Sequence, residues 1–107
     1  MSSGIIGTWH LRMKTPIGTV DARYRFTDSG DGIAGTATGA GEEVTLRDIV
    51  VERVAGGERV TWRQSITRPL RLHLDYDVTV TGDRLAGHSR AGRLPRTRVA
   101  GERLDGA

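Results

Sequence analysis

The chain has 107 residues and no cysteine, so one small core is the natural expectation, with neither a disulfide framework nor a thiolate metal site. Apolar residues make up 36% of it, which suits strands that bury one face, and no run has the length of a transmembrane helix. The formal net charge is +3, and fifteen of the sixteen basic side chains are arginines scattered between Asp and Glu. Such scatter reads as a solvated outer face rather than a phosphate-binding stripe, so neither nucleic acid nor a membrane is an expected partner.

Met1-Ser2-Ser3-Gly4 has neither the basic segment nor the apolar run of a signal peptide, which points to the cytoplasm. Period-two alternation then runs through the chain. Run one, 6–15, sets Trp9, Leu11 and Met13 against His10, Arg12 and Lys14, and Thr15-Pro16-Ile17-Gly18 turns it. Run two, 19–27, sets Val20, Ala22, Tyr24 and Phe26 against Asp21, Arg23 and Arg25, and Asp28 to Gly32 is a strong turn. Run three, 33–38, is short and small-residue rich. Run four, 43–54, changes phase near Asp48: Val44 and Leu46 share one parity, Ile49 and Val51 the other, which predicts a bulge.

Ala55-Gly56-Gly57-Glu58 makes a hairpin turn into run five, 59–67, which places Val60, Trp62, Gln64 and Ile66 together. Arg68-Pro69 breaks it. Run six, 70–80, sets Leu70, Leu72, Leu74, Tyr76, Val78 and Val80 against Arg71, His73, Asp75, Asp77 and Thr79. Thr81-Gly82-Asp83 leads to run seven, 84–91, and Gly92 to Pro95 to run eight, 96–104. Short loops and no helical stretch predict one all-β domain, 1–107: a single eight-stranded antiparallel up-and-down β-barrel, whose closure removes its edges.

In such a meander, Trp9 near the start of the first run and Arg103 near the end of the last lie on neighbouring strands at one end. Gly7-Thr8-Trp9 with Arg103 over the indole resembles the closing feature of the calycin superfamily, the lipocalin and avidin-like barrels. The likeness covers the chain in architecture and Gly7, Trp9 and Arg103 in motif. It implies a barrel holding a small, largely apolar molecule. Small natural-product cyclase barrels are similar, and they polarise a flexible substrate with a Tyr, Gln or Trp.

The inward residues divide into a bulky wall and a small one, the latter containing Ala22, Gly35, Ala37, Gly87, Ser89 and Gly101. Either the small residues complement the large, or a cavity remains on their side. In the second case Tyr24, Gln64 and Tyr76 are the candidate catalytic groups, and Trp62, Ser89, Met13 and Leu72 line the cavity. Arg68, Arg90 and Arg93 would guard a basic mouth that steers an anionic ligand. Gln64 draws attention because a buried amide needs partners, unless it lies wetted at the rim.

The three histidines, His10, His73 and His88, face outward without metal-ligand spacing, and Ser89 has no inward histidine to activate it. Asp48 becomes a general-base candidate only if the bulge turns it inward. No cofactor or metal is implied. Two functions follow: cofactor-free cyclisation or isomerisation of a small apolar molecule, which proximity and orientation can drive, and non-catalytic binding of one. A third is an interaction barrel that forms a homodimer through an outer patch at Ile49 and Val51.

Overall fold

In the computed structural model, which describes residues 4–15, 18–67 and 71–104, the chain is all-β. Its strands are β1 (Gly7–Thr15), β2 (Gly18–Asp28), β3 (Ile33–Gly39), β4 (Glu42–Thr45), β5 (Arg47–Val54), β6 (Gly57–Ile66), β7 (Leu72–Thr81), β8 (Arg84–Arg90) and β9 (Thr97–Arg103). They form one antiparallel sheet in the order β4-β3-β2-β1-β9-β8-β7-β6-β5, nearly closed into a barrel.

The described strands number nine rather than the expected eight, because run four breaks in two at Leu46. The backbone N–H of Leu46 donates to the Gly35 carbonyl at 2.9 Å, which carries the β3–β4 register one pair beyond Thr36 and Thr45 before the chain crosses the seam from the β4 edge of the sheet to the β5 edge. The expected bulge follows at once: Asp48 has a φ of 54° and the β5–β6 register shifts between Arg47 and Val50. At the other end of the seam the Glu42 carboxylate accepts hydrogen bonds from the Thr67 N–H at 2.9 Å and the Thr67 hydroxyl at 2.6 Å.

β1 and β9 pair in antiparallel register with Trp9 opposite Arg103, so the first and last strands do meet. The guanidinium carbon of Arg103 lies 4.5 Å from the centre of the Trp9 ring. Its Nη1 and Nη2 donate to the carbonyls of Ile6 and Gly4, both at 2.6 Å, and Nε donates to Asp83 at 2.9 Å. Trp9 Nε1 donates to the Ile5 carbonyl at 2.8 Å, and Ile5 is fully buried. Ile5 thereby stoppers this end, and Glu58 fastens the stopper by accepting the Gly4 N–H at 2.8 Å.

The inward faces carry the core: Trp9, Leu11, Tyr24, Phe26, Val60, Trp62, Val78 and Val99 are each buried to within 1% of complete. The small wall is taken up by neighbours in the barrel's lower half. A Cβ on Gly35 would come within 2.8 Å of Leu46 Cδ1, and one on Gly101 within 2.9 Å of Leu11 Cδ1. At Gly87 the β7 backbone, at the Asp77 carbonyl, occupies the place of a Cβ. Those glycines are small because large groups need their space, which is ordinary close packing. Opposite the stopper the inward residues Val20, Ala22, Val44, Ile66, Leu72 and Leu74 are only half-buried, so among the described residues this is the more open end.

Candidate functional site

The five residues expected to line a cavity converge in the barrel interior from four strands. Tyr24 comes from β2, Trp62 and Gln64 from β6, Tyr76 from β7 and Ser89 from β8. Alternation turns all of them inward, and the register brings them level: Trp62 is opposite Tyr76, and Tyr76 is opposite Ser89. None is more than 4% exposed.

Gln64 is the junction. Its Oε1 accepts from the Tyr24 hydroxyl at 2.8 Å and from Trp62 Nε1 at 3.0 Å. Tyr76 lies beside Tyr24, with ring centres 6.0 Å apart, and is paired in register with Ser89. Tyr24 has one proton and spends it on Gln64, which leaves its oxygen free to accept on the side of Tyr76. The Gln64 oxygen therefore joins Tyr24 to the Trp62 indole, and Tyr76 and Ser89 flank this chain of polar groups. Among the described residues no buried side-chain nitrogen or oxygen lacks a partner. Gln64 is 3% exposed, so it is buried and its Oε1 is partnered within the protein.

Rings pack around this chain. Trp62 and Tyr76 stack with centres 4.9 Å apart and planes 7° from parallel, and Phe26 meets Trp62 edge-on at 5.3 Å. Tyr24 lies 5.7 Å from Trp62 and 6.0 Å from Tyr76. Burial is the main reason that both tyrosine hydroxyls hold their protons above the ordinary range; for Tyr24 the neighbouring Tyr76 adds to it. Near neutral pH both are hydrogen-bond donors and neither is a base.

The remaining expected residues are distributed differently. Met13 is 8% exposed, inward on β1 towards the open end, and Leu72 is half-buried on that rim. Arg90 is exposed and braces the β8–β9 loop by donating from Nε to the Leu94 carbonyl at 3.1 Å. Arg93 is exposed in the same loop, and Arg68 lies outside the described residues. Asp48 points outward, 69% exposed, 3.9 Å from Arg63, so it is not a buried general base. Ile49 and Val51 are half-buried and pack against the core, leaving Val50 as the exposed apolar residue of β5.

The histidines belong to outer-face ladders. His10 contacts Asp21 at 3.0 Å, and His73 is bonded to Ser65 at 2.7 Å while Asp75 pairs with Arg63 at 3.2 Å. Among the described residues no three His, Asp or Glu side chains come together to hold a metal. Leu46 and Ile5 went unrecognised in the sequence. A parity break marked the region of Leu46, but its place opposite Gly35 follows from the β3–β4 register.

Fold and site together define an antiparallel, barrel-like protein with one buried polar chain beneath an open, apolar-rimmed end. No protein-family model matches the chain, and neither the curated proteins nor the solved structures contain a significant match to it.

Proposed function

We propose that this is a calycin-like, up-and-down barrel that takes a small, largely apolar molecule through its open end and lays it over the polar groups of Tyr24, Gln64, Tyr76 and Ser89. The observation that carries the reading is the coincidence of two features at one end. Half-buried aliphatic side chains line the inner rim there. The buried hydroxyl, amide and indole groups of Tyr24, Gln64 and Trp62, with Tyr76 and Ser89 beside them, lie on the same inner faces, one or two residues deeper. Sites for small molecules combine an apolar lining with a few convergent polar groups in this way.

The chemistry this allows is narrow. Protonated Tyr24 and Tyr76 cannot accept a proton near neutral pH, and Tyr24 donates to a carbonyl or enolate oxygen only by giving up its bond to Gln64. Turnover would come from holding a flexible molecule in a reactive shape and polarising one oxygen, which suits a cofactor-independent cyclisation or isomerisation. Gln64, Tyr24 and Tyr76 are the groups assigned to that role, with Trp62 and Leu72 as apolar platform and rim. A non-catalytic binding protein is the second reading. It is favoured by Tyr24 and Trp62 already spending their protons on Gln64.

Native mass spectrometry of the purified protein, followed by denaturation to release bound material, tests the proposal. A co-purifying apolar compound supports it and supplies a substrate to assay. A clean protein mass, together with no melting shift against a panel of medium-chain carboxylic acids, would count against both readings.

A further inference from the structure

The arginines that are dispersed along the chain are gathered by the sheet order. β8, β9 and β1 lie side by side, and their exposed outward cations are Arg12, Lys14, Arg84, Arg90 and Arg98. The one carboxylate among the outward residues of these strands is Glu102. Five permanent charges against one exceed the formal net charge of the whole chain, +3, so the rest of the surface is balanced by comparison.

The register sharpens this. Arg84 is opposite Glu102 and Arg12 is 3.7 Å from Asp21 of β2, whereas Lys14 is directly opposite Arg98. Like charges facing each other across strands destabilise a sheet. Lys14, Arg84 and Arg98 form no ion pair with any described residue. The contrast is the β6–β7 face, where Arg59 is bidentate on Asp77 and Arg63 pairs with Asp75. In the middle of the basic face Ala100 is opposite Ala86, and these short side chains floor a hollow of about 360 Å³ between Arg12 and Arg84.

We propose that the outer face of β8, β9 and β1 binds the phosphate backbone of duplex nucleic acid without reading its sequence. The cations from Arg84 to Arg90 cover about 20 Å of strand, which a single small anion cannot span and a row of phosphates can. Apart from the alanines the face offers no apolar anchor of the kind that dominates protein interfaces, which argues against an acidic protein as its partner. All five aromatic side chains are in the core, so there is no platform for stacking single-stranded bases. Guanidinium groups, by contrast, match phosphate oxygens two at a time. The inference stands independently of what the barrel holds.

The test is fluorescence anisotropy of a labelled 20-base-pair duplex at 50 and 200 mM salt. About five phosphate contacts predict a loss of affinity of several hundredfold over that range. Arg84→Ala with Arg98→Ala should weaken binding at 50 mM at least about tenfold and flatten the salt dependence by about two contacts. Arg25→Ala with Arg53→Ala removes the same charge from exposed positions elsewhere and should change binding little. Melting curves establish that each variant is folded. No binding at 50 mM salt, equal effects of the two double variants, or equal competition by polyglutamate would each overturn the proposal.

Discussion

Arg103 stacks its guanidinium 4.5 Å over the Trp9 ring while donating to the carbonyls of Ile6 and Gly4 and to Asp83, so one side chain ties the last strand to the first and to the stopper beneath them. Only 12% of it is exposed, which keeps these charge-assisted bonds from being screened away. Arg103→Ala should cost about 3 kcal/mol, lowering Tm by roughly 15 °C. Arg103→Lys keeps the charge but not the planar fork, and should recover less than half of that loss. Thermal unfolding followed by circular dichroism measures both; a lysine variant as stable as the parent would mean that charge alone closes the barrel.

Asp48 sits at φ 54° in the bulge with its side chain exposed, so its backbone conformation is what matters there. Asp48→Gly should be at least as stable as the parent, because glycine enters the left-handed region freely and the lost pair with Arg63 is long and exposed. Asp48→Val should cost about 2 kcal/mol, since a β-branched side chain resists that conformation. Urea denaturation ranks the three. A valine variant equal to the glycine variant would place the break in β5 elsewhere.

The tyrosines give the protein an alkaline limit. In the unfolded chain both lose their protons near the ordinary tyrosine value, whereas the native state holds them to higher pH because burial opposes the phenolate. Above that value the unfolded state binds fewer protons than the native one, so stability is full below about pH 10 and falls as pH rises through the raised native values. Each tyrosine contributes a slope of about 1.4 kcal/mol per pH unit in that window. Tyr24→Phe and Tyr76→Phe should each remove about half of the combined slope in urea titrations between pH 9 and 11. An unchanged slope would mean that the hydroxyls ionise normally in the folded protein.

Gln64 accepts two buried donors on one oxygen, so replacing it with leucine orphans both. Gln64→Leu should destabilise by about 3 kcal/mol, within the range for unsatisfied buried groups. Adding Tyr24→Phe removes one orphan, so the double variant should be about 1 kcal/mol more stable than additivity of the single changes predicts. Strict additivity in the double-mutant cycle would deny that the two side chains share a bond.

Much of this architecture is visible in the chain because alternation reports faces. Leu74, Tyr76, Val78 and Val80 alternate with charged and polar residues in sequence and are the inward residues of β7 in space. The same parity turned Tyr24, Trp62, Gln64, Tyr76 and Ser89 inward together. What parity cannot report is who meets whom. Tyr24 and Gln64 are 40 residues apart, and their bond depends on how β2 and β6 face each other across the barrel. Gly35 belongs to a small wall in the sequence, yet Leu46 fills the space beside it, because the β3–β4 register sets the two residues opposite each other. The arginines are scattered for a related reason: β1 and β9 are far apart in the chain and adjacent in the sheet, so Lys14 and Arg98 become neighbours only on folding.

The central claim is that a ligand enters over Gln64 at the open end and leaves the stoppered end untouched, and the two tryptophans report on the two ends separately. Trp62 Nε1 donates to Gln64, and Trp9 Nε1 donates to the Ile5 carbonyl. The most direct measurement is a nitrogen–proton NMR titration of the two indole resonances with decanoate as the probe. The account predicts a saturable shift of the Trp62 indole with the Trp9 indole unmoved, and loss of that shift in Gln64→Leu. Shifts of equal size at both indoles, or none at either, would contradict it.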